Sequence, residues 1–383
     1  MERLAVAALC LFLGACAAVP APPAATPFFL DARFAPPAQP VDGGAIFAPS
    51  EAMRRYLQVE IAHQLREQGP VLGLIGALQR PGQLKLDYDA GRTRNAAEAF
   101  AARKGNCLSL VIMTAALARE LHLQVTYQRV ETDPTWSRKD AVAYRNGHVN
   151  LTLGRRSVDT FRGYDPARLL TVDFLPAEDI TGQRTEPISE DRVVAMYMNN
   201  RAAEALDEGR IDDAYWWARG ALVRSPDFDD AYNTLGVVYL HHGDLGAAAD
   251  VLSYLLVRRP DDALVLSNLA LVRDRQGMAA QAANLRSRQA QLEPYPPYHF
   301  FFLGKDAMDR GDYPVARQMF RKEVERAGYS GEFHFWLGVA DLKLGDFSAA
   351  RQEMALALEN STSEREHALY AGKLERLRSS GGH

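Results

Sequence analysis

Residues 229–262 read DDAYNTLGVVYLHHGDLGAAADVLSYLLVRRPDD, and this stretch is one unit of a pattern that recurs every 34 residues. Four positions recur in each unit. The first is a small residue (Ala202, Gly236, Ala270, Gly304, Gly338), the second is a glycine (Gly209, Gly243, Gly277, Gly311, Gly345) and the third is an alanine (Ala214, Ala248, Ala282, Ala316, Ala350). The fourth is a proline in the first three units, and glycine and threonine replace it in the last two (Pro226, Pro260, Pro294, Gly328, Thr362). Self-similarity at a fixed step of this length predicts a stack of short structural units, each packed on its neighbours.

Each recurring position has a structural role in a pair of antiparallel helices. The small residue lets the second helix approach closely, and the glycine ends the first helix in a left-handed conformation. The alanine packs the second helix against the first, and the proline stops that helix. The period and the pattern resemble the tetratricopeptide repeat. The resemblance implies an all-α solenoid over residues 189–379, with residues 364–379 as a capping helix, and a protein or peptide partner bound to the array.

Aromatic residues are dense in these units. Their helical spacing predicts that most of them lie in the core between helices. An aromatic groove that binds a peptide is the alternative interpretation.

The bulk composition limits the classes of function. The chain has 383 residues, which is too long for one ordinary domain, and 47% of them are hydrophobic. The net charge is -4, so no basic face for nucleic acid is indicated. The histidines show no metal-binding spacing and no glycine-rich phosphate loop is present, so neither a metal nor another cofactor is predicted.

The N-terminus is typical of an exported protein. Residues 4–15 form an apolar run that is too short to span a bilayer as a helix. The run ends in Leu13-Gly14-Ala15-Cys16, which resembles the bacterial lipobox; a secretory signal with an accidental cysteine is the alternative. The resemblance implies that residues 1–15 are removed, that Cys16 carries lipid, and that the protein is anchored in the outer membrane facing the periplasm. Residues 16–48 are rich in Pro and Ala and predict an extended tether.

Residues 49–188 have the length of one domain, and Cys107 would be the one thiol left in the processed chain. An unpaired cysteine is unusual in an oxidising compartment. The apolar run from Leu108 to Leu121 predicts a buried helix with Cys107 at its N-terminus. The partial positive charge and free N–H groups of a helix N-terminus favour a thiolate, which is the nucleophilic form. A small buried cysteine without chemistry is the alternative.

Three strands are predicted after this helix. They are residues 123–131, residues 147–153 with His148 at the start, and residues 169–175 with Asp173 inside. A helix-borne Cys followed by His and Asp on strands resembles the transglutaminase-like branch of the papain fold. The resemblance is carried by Gly105-Asn106-Cys107-Leu108-Ser109, Gly147-His148-Val149-Asn150 and Thr171-Val172-Asp173-Phe174.

The resemblance implies an α+β domain in which Cys107 attacks an acyl carbon, His148 is its base and Asp173 orients His148. Asp159 also follows His148, and a tight hairpin could bring it beside the histidine instead. Asp173 is preferred because its flanking residues match the family better.

Two functions of different class follow. The first is a membrane-anchored periplasmic thiol enzyme of acyl transfer, a peptidase, an amidase or a transglutaminase, with a protein-binding repeat array. The second is a non-catalytic envelope scaffold that binds partners through its repeats. A redox-sensing role for Cys107 is weaker, because no second cysteine would remain to resolve it.

Overall fold

The computed structural model describes residues 26–79, 86–89, 91–139, 142–155, 169–174, 183–361 and 364–379. Within these residues, both helices and strands occur up to residue 188, and every element after it is a helix. The chain therefore forms an N-terminal part of mixed α and β structure, followed by an all-helical solenoid. Whether the N-terminal part belongs to the papain-like fold remains a prediction.

The N-terminal part begins with short helices that pack around one long buried helix. Its helices are α1 (Glu51–Arg55, continued by a π-helical turn, Tyr56–Glu60), α2 (Ala62–Gln68), α3 (Pro70–Gln79), α4 (Ala96–Ala102) and α5 (Cys107–Glu120). Its strands are β1 (Asp87–Tyr88), β2 (Lys104–Gly105), β3 (Leu123–Lys139), β4 (Val142–Arg155), β5 (Leu170–Val172) and β6 (Arg184–Ile188). Ser50, Asn95 and Asn106 cap α1, α4 and α5 through their side-chain oxygens.

The main sheet has the strand order β5-β4-β3-β6, and all its neighbours are antiparallel. Helix α5 packs against β3 and β4, and its residues 108–118 are all buried. This placement agrees with the apolar run that predicts a buried helix. Because α5 starts at Cys107, its N-terminus lies beside the inner strand β4, which carries His148.

Three details of the sheet differ from the sequence predictions. His148 lies within β4, which begins at Val142, because β3 and β4 keep pairing past a register shift between Val130 and Thr135. Asp173 lies directly after β5 and not inside a strand. Strand β6 was not predicted, since its residues are exposed and include a proline, which an edge strand tolerates.

The solenoid consists of five helix pairs and a final helix. The helices are α6 (Glu190–Asp207), α7 (Ile211–Arg224), α8 (Asp229–His242), α9 (Leu245–Arg258), α10 (Ala263–Arg275), α11 (Ala279–Leu292), α12 (His299–Asp309), α13 (Tyr313–Arg326), α14 (Gly331–Lys343), α15 (Phe347–Glu359) and α16 (Glu364–Ser379). These bounds confirm the predicted helical array over residues 189–379.

The recurring positions have the roles that the sequence predicts. The five column glycines all have positive φ, between 74° and 93°, at the turn after the first helix of each pair. The five column alanines have no exposed surface. A Cβ on Gly236 would lie 2.6 Å from Leu252 Cγ, and one on Gly304 would lie 2.6 Å from Phe320 Cε1. The helices of these pairs therefore approach closely because the column residue is small.

The aromatic residues divide as predicted, with most of them in the core. The buried rings of the array include Tyr215, Tyr232, Tyr239, Phe301, Phe320 and Phe333. Tyr295 and Phe302 are exceptions, since they are 56% and 49% exposed. Both lie where the hydrophobic core is interrupted between α11 and α12, because the buried clusters on the two sides are separate.

The segment 26–48 is not the extended tether that its composition predicts. Phe34 is only 6% exposed, and its ring stacks on Tyr215 with centroids 3.9 Å apart. The backbone N–H groups of Ala35 and Ala38 donate to Asp212 and Asp213 at 2.9 and 2.8 Å. The tether prediction is wrong for these residues, because the segment forms two 3₁₀ turns (Thr26–Phe28 and Asp31–Arg33) and side chains of the first repeat bind its backbone.

Candidate thiol site

Cys107 is the first residue of α5, and a local network holds the turn before it. The side-chain oxygen of Asn106 accepts hydrogen bonds from the backbone N–H and the hydroxyl of Ser109, at 2.9 and 2.7 Å. A Cβ on Gly105 would lie 2.6 Å from Ser109 Cβ, so only a glycine fits at position 105, where the backbone packs against Ser109. The half-buried thiol of Cys107 therefore sits at a rigid, capped helix N-terminus.

His148 and Asp173 form a buried pair beside this thiol. Nε2 of His148 lies 2.7 Å from Oδ1 of Asp173, and each side chain is 6% exposed. The pairing of β4 with β5 explains the contact, since Leu151 faces Val172 in the sheet and Asp173 follows directly. The Cys107 thiol is close enough to His148 to raise the pKa of that histidine, and its Sγ lies 4.0 Å from the carbonyl oxygen of Gly147, the residue before His148.

The second oxygen of Asp173 is held by Asn150. Nδ2 of Asn150 donates to Oδ2 of Asp173 at 2.8 Å, and Asn150 is 3% exposed. Residues two apart on a strand point to the same face, so β4 presents His148 and Asn150 together to one carboxylate. Sequence reasoning did not assign Asn150 to the site, although its spacing from His148 could have indicated it.

The charges of the site favour a protonated histidine. Burial by itself lowers the pKa of His148, but the hydrogen bonds with Asp173 and Cys107 and the negative charge of both groups outweigh it. The net effect raises the pKa of His148 to about 9. At neutral pH the imidazole is therefore an imidazolium, which is the partner that a thiolate needs.

The structure brings together three of the residues that the sequence singles out, Cys107, His148 and Asp173. Asp159 and the lipidation candidate Cys16 lie outside the described residues. Within the described part of the chain, no three His, Cys, Asp or Glu side chains are grouped as a metal site would require. No helix in that part is long and apolar enough to cross a membrane.

The arrangement has the parts of a nucleophilic thiol site. The Cys107 thiol lies beside an imidazole that hydrogen-bonds to a carboxylate, and the carboxylate is fixed by a further donor. Ser109 N–H is taken by the Asn106 cap, but the backbone N–H groups of Cys107 and Leu108 have no carbonyl partner within the helix and can receive an oxyanion.

Comparison with known proteins identifies the repeats. The tetratricopeptide repeat family model matches residues 199–263 and 303–364. Among solved structures, MamA is 18% identical over 46% of this chain and 94% of its own, with a TM-score of 0.25. YrrB, a TPR protein with an unusual peptide-binding site, is 19% identical over 47% and 92%, with a TM-score of 0.25.

TTC0263, a thermophilic TPR protein of Thermus thermophilus, is 19% identical over 47% of this chain and 98% of its own, with a TM-score of 0.30. The comparison with curated proteins gives no match. The family match falls on the helices whose recurring positions are described above. The C-terminal helical pairs of this chain are tetratricopeptide repeats.

Proposed function

We propose that the chain is a thiol enzyme of acyl transfer whose tetratricopeptide repeats bind a protein or peptide partner. The observation that carries the catalytic part is the buried hydrogen bond between His148 and Asp173 beside the Cys107 thiol. Burying a histidine and a carboxylate costs free energy unless the two groups are paired. Here they are paired, and the paired histidine lies next to a nucleophile, the Cys107 thiol. The resemblance of the surrounding motifs to the transglutaminase-like branch of the papain fold implies the same chemistry.

In this proposal the proton of the Cys107 thiol resides on His148 before reaction. The Cys107 sulfur attacks the acyl carbon of an amide or ester, and the N–H groups at the start of α5 stabilise the oxyanion. The imidazolium of His148 then gives its proton to the departing amine or alcohol, which leaves a thioester on Cys107. Water or an amine, deprotonated by His148, attacks the thioester and restores the thiol. Water gives hydrolysis and an amine gives transamidation.

The second candidate is a scaffold without catalysis, and the family match favours it. That match falls within the repeats, and tetratricopeptide repeats suggest a protein-binding role. In this alternative, residues 49–188 are a structural unit and the repeats carry the whole function. The two candidates share the bound partner and differ only in whether Cys107 reacts.

The proposal includes an envelope location. The lipobox resemblance at Leu13–Cys16 supports lipid attachment to Cys16 and a periplasmic position at the outer membrane.

The test is to trap the acyl-enzyme. The protein is incubated with p-nitrophenyl acetate, the burst of nitrophenolate is recorded, and the acetylated residue is mapped by mass spectrometry. We expect acetyl on Cys107 in the wild type, none on that position in Cys107→Ser, and strong loss in His148→Ala. His122→Ala removes an exposed histidine outside the site and should behave as wild type. If Cys107 is not acetylated, or is acetylated equally in His148→Ala, the scaffold is the better account.

A further inference from the structure

A buried threonine joins the thiol site to the first repeat. Oγ1 of Thr93 accepts hydrogen bonds from Nδ2 of Asn106 at 2.9 Å and from Nδ2 of Asn200 at 3.2 Å. Asn106 caps the helix that begins with Cys107, whereas Asn200 lies on α6 of the first repeat. Thr93 is 1% exposed, so water does not replace either donor.

The same threonine is fixed from the repeat by a carboxylate. Its backbone N–H donates to Oε1 of Glu204 at 2.6 Å. Burial raises the pKa of Glu204, and the contacts with Thr93 and Arg201 oppose that rise. The hydroxyl oxygen of Thr93 thus accepts from Asn106 of the N-terminal part and from Asn200 of the repeat, while Glu204 of the repeat holds its backbone N–H.

The network continues to the cysteine through Asn106. The amide group of Asn106 donates to Thr93 with its nitrogen and accepts from Ser109 with its oxygen. The orientation of this amide therefore depends on Thr93 and determines the first turn of α5. A small displacement of that turn would move the Cys107 sulfur relative to His148, which belongs to a different element.

We propose that Asn200 and Glu204 of the first repeat are positioning residues for Cys107, acting through Thr93 and Asn106. This inference rests on the proposed thiol chemistry and deepens it. The repeat array is then part of the support of the active site and not only a separate binding module.

The test compares two neighbouring asparagines of α6. Asn200→Ala removes the donor to Thr93, whereas Asn199→Ala makes the same truncation at a residue whose buried Oδ1 has no hydrogen-bond partner among the described residues. The rate of Cys107 alkylation by iodoacetamide is measured at pH 6 and pH 10 by peptide mass spectrometry. The ratio of the two rates reports activation, because at pH 10 an ordinary thiol is also ionised.

We expect the ratio to fall at least fivefold in Asn200→Ala and to stay at the wild-type value in Asn199→Ala. Thr93→Val, which removes the hydroxyl at nearly constant volume, should lower the ratio as well. Mere loosening of the fold would change the rate at pH 10 and the melting temperature without this selective effect.

Wild-type ratios in both Asn200→Ala and Thr93→Val, with an activated wild type, would overturn the positioning role and leave the thiol chemistry standing. A wild-type ratio equal to that of free cysteine would instead overturn the proposed function itself.

Discussion

The protonation of His148 gives a quantitative test of the site. Its pKa is raised to about 9 from an ordinary value of 6.5. At 1.36 kcal/mol for each unit, the site favours the imidazolium by about 3 kcal/mol. Asp173 is the first of the groups that raise this pKa, so Asp173→Asn should lower it by roughly 1–2 units, or about 1–3 kcal/mol. Asn has nearly the same volume, so the packing of the pair is retained.

The assay is an NMR titration of the histidine ring nitrogens between pH 5 and pH 10. The wild type should show His148 changing charge near pH 9, and Asp173→Asn should shift that change downward. Asp191→Asn, at an exposed acid paired with Arg224, serves as the matched control and should have no effect. Titration of wild-type His148 near 6.5, or an unchanged value in Asp173→Asn, would refute the reasoning.

The raised pKa also fixes the direction of a pH effect on stability. A group that binds its proton more tightly in the folded state stabilises the fold fully below its unfolded pKa, here about 6.5. That contribution is lost as the pH rises through about 9.

Three further predictions concern the fold and the anchor. Gly304→Ala should destabilise the array by about 1–3 kcal/mol in urea unfolding, because its Cβ would meet the buried Phe320 ring, whereas Gly372→Ala has open space and should not destabilise; equal effects would contradict the packing argument. Phe34→Ala should cost about 3–5 kcal/mol and expose residues 26–48 to protease, and an unchanged digestion pattern would contradict docking of that segment. Cys16→Ser should abolish incorporation of labelled fatty acid, and a mutant that is still acylated would show that the lipobox prediction is wrong.

The repeats were predictable because their information is local and redundant. Gly243 ends a helix with positive φ, and the same requirement recurs at four more positions 34 residues apart. Because five copies of one pattern make the same prediction, the sequence favours this fold over any other. The interruption of the core after α11 was not predictable, because the recurring positions continue through it without a change.

The site was predictable in part. Cys107 and His148 could be chosen from local patterns, an apolar helix after a lone cysteine and a strand that carries a histidine. The choice between Asp173 and Asp159 depended on which strand pairs with β4, and strand pairing is not a local property. The two-residue spacing of Asn150 from His148 could have placed it on the same face of the strand, but its contact with Asp173 depends on the same strand pairing.

The docking of residues 26–48 could not be read from composition. Proline and alanine indicate an extended backbone, and Phe34 lies in such a backbone. The residues that bury it, Tyr215 and Tyr239, are in repeats far along the chain. An extended segment and a solvated tether have the same local sequence signature, and they differ only through distant partners.

The most direct test of the central claim is the rate at which Cys107 reacts at pH 6. A free thiol has a pKa near 8.5, so only about 0.3% of it is thiolate at that pH. A neighbouring imidazolium favours the thiolate form of a cysteine, and the lower intrinsic nucleophilicity of such a thiolate offsets only part of the gain in rate. With iodoacetamide and peptide mapping, we expect Cys107 to react at least tenfold faster than free cysteine, and the advantage to disappear in His148→Ala but not in His122→Ala. A rate equal to that of free cysteine, or one unaffected by His148→Ala, would contradict the account.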